Sequence, residues 1–300
     1  MNFELEGIDL REGELLSKHS SFKTGGPAKC AIFPKNTDEL SKALTYAIES
    51  GEKYRIVGNC SNILFDDKGF DGILIFTKGI SDTIYIRKKN SILIKAECGK
   101  SLTELASEAG KKHALCGLEF AYGIPGSIGG AVYMNAGAYG GQMSDVVIES
   151  EYFDTTDRKV KVLSKDDHDF GYRHSAFEDN TNYVILSTLI ELKEGDPEAI
   201  LALMTKNMSA RKEKQPLEYP NAGSTFKRPE GYFAGKLIED CGLKGYTVGG
   251  AQVSEKHAGF VINRGGATSE DILKLIEHIK NTVLEKFGVS LETEIIHIPF

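Results

Sequence analysis

GIPGSIGGAVYMNAGAYG, residues 123–140, holds six glycines and one proline in eighteen positions. That density argues against a stable helix or a paired central strand, because each glycine brings backbone entropy that folding must remove. The stretch is therefore expected to be a loop. It carries no charge, and Ile124, Ile128, Ala131 and Val132 are interleaved with its glycines. The expected conformation is backbone folded closely against a large ligand, with amides turned toward anionic oxygens. A phosphate-bearing cofactor meets that description. A glycine-rich turn between core elements is the plainer alternative, although long loops without secondary structure in compact domains are usually functional. The spacing lacks G-x-G-x-x-G and no G-K-[ST] follows, which excludes a dinucleotide-binding fingerprint and a Walker loop.

The length of 300 residues and the 41% hydrophobic content predict more than one domain. A net charge of −7 argues against nucleic acid as a principal partner, while leaving room for a local basic site that holds an anionic small molecule. The five cysteines, Cys30, Cys60, Cys98, Cys116 and Cys241, are odd in number and form no C-x-x-C pair. They predict reduced thiols in a cytoplasmic protein. The opening MNFELEGIDLREGELL has no basic region followed by an apolar run, and no window approaches eighteen uninterrupted apolar residues. Neither a leader nor membrane insertion is expected. No repeat, metal-ligand spacing or obligate protein partner is evident.

Outward from the glycine loop, 28–33 reads as a short strand after the turn Thr24-Gly25-Gly26-Pro27. A helix follows, capped by Asn36 or Thr37, with Leu40, Ala43, Leu44, Ala47 and Ile48 at helical spacing and Gly51 at its end. The strand 53–57 then empties into GNCSN, residues 58–62, a second candidate for backbone anion binding in which Ser61 and Asn62 add side-chain donors. An ordinary turn is the alternative there. TIYIRKKNSILIKAECG reads as a hairpin turning at Lys89 and Asn90, and SLTELASEAG as a short helix. Two β-rich runs, 146–154 and 183–192, flank a polar loop with DFGYRHSAF, where Arg173 is either an anion clamp or a stacked surface group.

Asp196 and Pro197 open a helix with Ile200, Leu201, Leu203, Met204 and Met208 as its apolar set, and a domain border is expected near 195. The loop YPNAGSTFKRPEG gathers Asn221, Gly223, Ser224, Lys227 and Arg228 between prolines, in a form suited to an anionic substrate or to a solvated turn. Residues 269–287 read as an amphipathic helix stopped by Gly288. In the closing run VSLETEIIHIPF, strict alternation would place Glu292, Glu294, Ile296 and Ile298 on one strand face.

Nine segments occur in order: SFKTGGPA, GNCSNIL, GIPGSIGGAVYMNAGAYG, DFGYRHSAF, KQP, NAGSTFKRP, AGKLIEDCGLKG, HAGFVIN and LETEI. Together they resemble the UDP-N-acetylenolpyruvoylglucosamine reductase (UDP-N-acetylmuramate dehydrogenase) family over roughly residues 17–298. The resemblance implies an α+β fold: a PCMH-type, vanillyl-alcohol-oxidase-like FAD-binding unit of two subdomains at 1–80 and 81–195, then an α/β substrate domain at 196–300. It also implies FAD, bound without a covalent link by Gly58, Asn59, Cys60, Ser61, Asn62, Gly123, Pro125, Gly126, Ser127, Gly129, Gly130, Asn135, Ala136 and Gly137. Arg173, Ser224 and Glu294 would be catalytic, and Lys214 and Arg228 would bind substrate; no metal is implied. Only 50 residues lie between Arg173 and Ser224, so the chain resembles the shorter type without an inserted loop over the substrate. Asn59 and Cys60 stand where the family usually has glycine. A non-glycine residue held at positive φ costs about 1 kcal/mol, and asparagine tolerates that region best.

The implied reaction passes a hydride from NADPH through FAD to the enolpyruvyl ether of UDP-N-acetylglucosamine enolpyruvate, a step of bacterial peptidoglycan precursor synthesis. An enol ether accepts hydride poorly, so its carboxylate must take up electron density. Arg173 suits that task, since one preorganised donor in a dry site is typically worth roughly 3–4 kcal/mol. Glu294, kept protonated by burial or by the neighbouring anion, would donate to the same carboxylate, and Ser224 would protonate the adjacent carbon. Two alternatives remain at this stage: another PCMH-type flavin oxidoreductase, and a non-catalytic protein that binds sugar nucleotides on the same fold.

Overall fold

The computed structural model describes Leu5 and residues 7–300, so part of the opening run read for a leader lies outside the described residues. The chain divides into two compact units. One comprises Met1–Arg11, Cys30–Asn59 and Gly72–Ala210; the other comprises Glu12–Lys29, Cys60–Asp71 and Arg211–Phe300. One crossing falls inside GNCSN, between Asn59 and Cys60, and the last falls inside the helix Pro197–Lys214.

In the first unit the helix Thr37–Ser50 forms as its sequence signals predict. The Asn36 side chain accepts from the Glu39 N–H at 2.8 Å, and Gly51 closes the helix at φ 69°. Leu40, Ala43, Leu44 and Ala47 are buried against the unit's core. The strand Tyr54–Val57 pairs in parallel with Phe70–Phe76, in a register running from Tyr54 opposite Ile73 to Val57 opposite Phe76. A larger antiparallel sheet carries strands in the order Lys159–Ser164, Val147–Asp154, Tyr183–Glu194, Ile92–Glu97, Thr83–Arg87. Its hairpin turns at Lys89 and Asn90, closed by the Lys88 N–H on the Ser91 carbonyl. The strand Lys159–Ser164 escapes the sequence reading because its valines face outward: Val160 and Val162 are more than half exposed.

Three expectations need correction. The glycine loop is not wholly irregular, since Ile128–Tyr133 form a short helix capped by the Ser127 hydroxyl, which accepts from the Gly130 N–H. Burial of Ile128, Ala131 and Val132 outweighs the poor propensity of Gly129 and Gly130. In the helix Pro197–Lys214, Leu201 and Leu203 are exposed, and the buried stripe is instead Ile200, Met204, Asn207 and Arg211. Two polar residues on that stripe disguise its period. The third correction concerns the closing run, where only Ile296–Ile298 form a strand and Glu294 does not share a face with Ile296 and Ile298. The backbone changes partners there: the Glu294 N–H bonds to the Thr225 carbonyl, and the Ile296 N–H bonds to the Asn62 carbonyl. The exchange bends the chain at Ile295 and breaks the alternation.

The second unit has its own core around Phe22, Leu64, Phe226, Leu237, Ile238, Ile272, Leu275, Ile276 and Ile279. The strands Ala251–Val253 and Val261–Asn263 pair antiparallel, and all six residues are buried. The helix Ser269–Phe287 has the expected bounds, with a Thr268–Asp271 capping box and Gly288 at φ 67°. Ile296–Ile298 add in parallel to Ile63–Phe65. Among the described residues no helix is long and apolar enough to cross a membrane.

A buried polar chain crosses the larger sheet at His168. Its Nδ1 lies 2.6 Å from the Ser164 carbonyl, which can only accept, so Nδ1 carries the proton and Nε2 accepts from the Ser150 hydroxyl at 2.9 Å. Burial lowers the imidazole pKa below its ordinary 6.5, against the opposing pull of its backbone bonds. The folded state thus disfavours a proton that the unfolded chain takes up below 6.5. Stability from this group is present above that value and is lost as pH falls toward the lowered folded pKa. Urea unfolding between about pH 7 and about pH 5 is expected to show a decline that His168→Gln reduces. An unchanged decline in the variant would assign the acid sensitivity to other groups.

Candidate functional site

The two glycine-bearing loops meet within the first unit. The Asn59 side chain donates to the Pro125 carbonyl at 3.0 Å. A Cβ on Gly58 would stand 2.2 Å from the Ser127 hydroxyl oxygen, so only glycine permits the approach. Ser127 is almost wholly buried and caps the short helix behind it. The flanking backbone is pinned: the Ile128 N–H donates to Lys100, the Gly129 N–H to Cys98 and the Leu102 N–H to Gly126. A Cβ on Gly129 would come within 3.1 Å of the Cys98 Cβ. Burial pushes the Cys98 thiol up to about 12, so it stays protonated; no disulfide joins the five cysteines. The left-handed residue of GNCSN is Cys60, at φ 50°, while Asn59 keeps an ordinary backbone. Roughly 1 kcal/mol of strain is therefore held at Cys60.

Further along, Gly123 at φ 94° donates its N–H to the Thr103 hydroxyl, which donates in turn to the Ile124 carbonyl. Asn135 is buried at φ 41°, and its side chain donates to the Gly171 carbonyl and accepts from the Ser144 N–H. Ala136 bonds through its N–H to Ala131 and through its carbonyl to Met143, and Gly137 pairs with Gln142. Asn135 thereby ties the glycine stretch to the turn bearing Arg173. That turn is strained, with Arg173 itself at φ 55° between a Gly171–His174 bridge. Its guanidinium donates to the Gly137 carbonyl at 3.3 Å and lies 5.4 Å from the Tyr172 ring centroid. His174 stands beside Glu178 at 3.2 Å and Asp179 at 3.3 Å, and the Ser175 hydroxyl donates to the Tyr133 carbonyl. A non-glycine residue kept in this region is stabilised by its surroundings, and such strain gathers where function demands a fixed side chain.

In the second unit Ser224 and Glu294 are brought together through Thr225. The Thr225 N–H donates to Gly259, its carbonyl accepts from Glu294 and its hydroxyl accepts from the Val261 N–H. Phe226 bridges Thr293, and the Lys227 N–H bonds to Glu292. Ser224 and Glu294 are both half-buried. From the other side the Asn62 amide donates to the Glu294 carbonyl at 3.0 Å. His257, also half-buried, accepts from the Gly259 N–H on Nδ1, which leaves the proton on Nε2. Burial lowers its pKa. Its ring occupies the space that a Cβ on Gly259, at 3.0 Å, would need. Lys214 and Arg228 are exposed, and the Arg228 guanidinium lies 4.9 Å from the Phe233 ring centroid.

Of the three residues expected to be catalytic, Ser224 and Glu294 thus share one unit and Arg173 belongs to the other. Sequence reasoning missed Thr103, Thr225 and the side-chain bond of Asn62. Thr225 stood beside Ser224 in plain sight. Nothing in its type, however, announces a hydroxyl turned inward to a strand 36 residues away.

Comparison with known proteins matches two families along the chain. Residues 215–298 match the family of the UDP-N-acetylenolpyruvoylglucosamine reductase C-terminal domain, and residues 28–163 match an FAD binding domain family. The UDP-N-acetylenolpyruvoylglucosamine reductase of Pediococcus pentosaceus is 49% identical over 96% of this chain and 94% of its own length. That of Caldicellulosiruptor saccharolyticus is 48% identical over 96% and 91%. The crystal structure of the Thermus caldophilus reductase superposes with a TM-score of 0.80 at 32% identity, covering 97% of this chain and 99% of the other. A cholesterol oxidase from B. sterolicum shares the fold alone, at a TM-score of 0.50, 16% identity and coverage of 64% and 39%. The fold class is thus the α+β, PCMH-type architecture expected from the sequence.

Gly58→Ala tests the contact between the loops. Its methyl group must displace the Ser127 hydroxyl and cost the short helix its cap, for a combined loss of about 1–3 kcal/mol. Urea denaturation checks this, and a variant within about 0.5 kcal/mol of the parent would mean that the loops separate without penalty.

Proposed function

The chain belongs to the UDP-N-acetylenolpyruvoylglucosamine reductase family, and from that premise we propose that it reduces UDP-N-acetylglucosamine enolpyruvate to UDP-N-acetylmuramate in the cytoplasm, with NADPH as hydride donor. This places it in peptidoglycan precursor synthesis. The observation that carries the reading is the backbone bond from the Glu294 N–H to the carbonyl of Thr225, the residue after Ser224, which sets the two residues on neighbouring segments of the second unit. The residues present fit FAD: Gly58 approaches Ser127 with no room for a Cβ, and the apolar, glycine-rich backbone beyond presents no competing charge. We assign the non-covalent cofactor to residues 58–62, to Gly123, Pro125, Gly126, Ser127, Gly129 and Gly130, and to residues 135–137. When bound, FAD supplies hydride transfer.

The chain's own residues do the rest. Arg173, held by its strained turn, binds the carboxylate of the enolpyruvyl group and takes up the negative charge that develops there. Glu294, protonated, donates a hydrogen bond to that carboxylate. The Ser224 hydroxyl gives its proton to the carbon beside the carboxylate; it is a weak acid facing a strongly basic carbanion-like centre. Lys214 and Arg228 hold the anionic nucleotide by charge. Segments 1–80 and 81–195 serve the cofactor and 196–300 serves the substrate.

A steady-state assay of NADPH oxidation with the enolpyruvyl sugar nucleotide tests the reading. Consumption of NADPH matched by a product carrying two added hydrogens is expected; NADPH oxidation indifferent to the nucleotide would overturn it. Ser224→Ala is expected to leave flavin reduction by NADPH nearly intact and to slow flavin reoxidation by the nucleotide roughly 10²- to 10⁴-fold, with Ser224→Cys recovering part of the loss. An alanine variant reoxidised within about tenfold of the parent would remove Ser224 from the chemistry.

A further inference from the structure

Asn62 closes the GNCSN stretch, where the family resemblance sets it beside the cofactor phosphates. Its amide nitrogen faces elsewhere, donating to the Glu294 carbonyl at 3.0 Å. The bond joins residues 232 positions apart, and it sits beside a backbone bond from the Ile296 N–H to the Asn62 carbonyl at 2.9 Å. The Glu294 N–H meanwhile donates to Thr225 at 2.9 Å. Both polar groups of the Glu294 main chain are therefore tied, one to the residue after Ser224 and the other to the loop that begins at Gly58. Directly beyond, the chain bends at Ile295 and enters the parallel pair with Ile63–Phe65.

A carbonyl beside a bend can swing unless something holds it, and as the bend changes the Glu294 Cα shifts and carries its side chain with it. We propose that Asn62 is a positioning residue for Glu294: its amide fixes the glutamate's main chain, so that the carboxyl group stays aligned with Ser224. The inference rests on the reaction proposed above and adds to it a residue that acts through the glutamate and does not touch the substrate. Removing the amide leaves the Ile296–Asn62 backbone bond in place, so the ladder survives while the aim of Glu294 relaxes. A displacement of about 1 Å at a reacting group typically lowers the rate about 10²-fold.

The test uses FAD-loaded Asn62→Ala and Asn62→Asp, each alone and combined with Glu294→Gln. Asn62→Asp keeps the shape of the side chain and removes its N–H. Reduction by NADPH and reoxidation by UDP-N-acetylglucosamine enolpyruvate are followed separately by anaerobic stopped-flow absorbance. Because Asn62 closes the stretch assigned to the cofactor, rates are read on the FAD-loaded fraction, and in both single variants reoxidation is expected to slow about 10- to 100-fold more than reduction by NADPH does. Added to Glu294→Gln, either substitution should cost no more than about a further twofold, because a residue that acts through Glu294 has nothing left to position. Equal slowing of both half-reactions, or multiplication of the two defects, would overturn the inference. Parent-like reoxidation of both single variants would overturn it while leaving the reaction standing. A parent protein that the nucleotide does not reoxidise would overturn both.

Discussion

The hydrogen bond from the Glu294 N–H to the Thr225 carbonyl is the constraint on which the chemistry proposed for Ser224 and Glu294 depends. Ser224 and Glu294 are distant in sequence, and neither lies in a regular element of any length. They meet because the end of the chain pairs first with the residues after Ser224 and only then with Ile63–Phe65. Phe226 and Ile295 anchor the two segments in the core on either side of the exchange. A longer, regular final strand would keep one partner throughout and could not serve both.

Backbone conformations that side chains rarely adopt recur among the residues assigned to the proposed site. Cys60, Asn135 and Arg173 all hold positive φ without being glycine. Each is tied into a buried hydrogen-bonded framework or a close-packed loop, and the strain of roughly 1 kcal/mol apiece is offset by that framework. The physical gain is fixed direction. An arginine on an ordinary flexible turn samples many rotamers, whereas Arg173 projects from a turn held by Asn135, Ser175 and the Gly171–His174 bridge. Preorganised charge of this kind stabilises developing negative charge without reorganising as the charge appears.

Much of this was legible from residue order. The helices Thr37–Ser50 and Ser269–Phe287 announce themselves by caps, period and terminal glycine, and both have the expected ends. The short helix inside the glycine loop was not legible, because burial of three apolar side chains decided its conformation against propensity. Asn207 and Arg211 hid the buried stripe of their helix, since pattern reading takes polar residues to face solvent. The change of partners at Ile295 was invisible for a different reason: it is a long-range backbone event, and alternation in a short window carries no information about which segment pairs with which. The double role of the GNCSN stretch, whose first residues touch Pro125 and Ser127 while its last reaches Glu294, likewise appears only when the fold is in hand.

The central proposal is that Ser224 and Glu294 act together, one as proton donor and one as hydrogen-bond donor, on one enolpyruvyl group. A crystal structure of the FAD-loaded protein with UDP-N-acetylglucosamine enolpyruvate tests it most directly. The account predicts the Glu294 carboxyl group within about 3 Å of the substrate carboxylate. The Ser224 hydroxyl should face the carbon beside that carboxylate at a near-attack distance of about 3–3.5 Å. A nucleotide bound with its enolpyruvyl group turned away from both residues, or touching one while the other points into the protein, would contradict it.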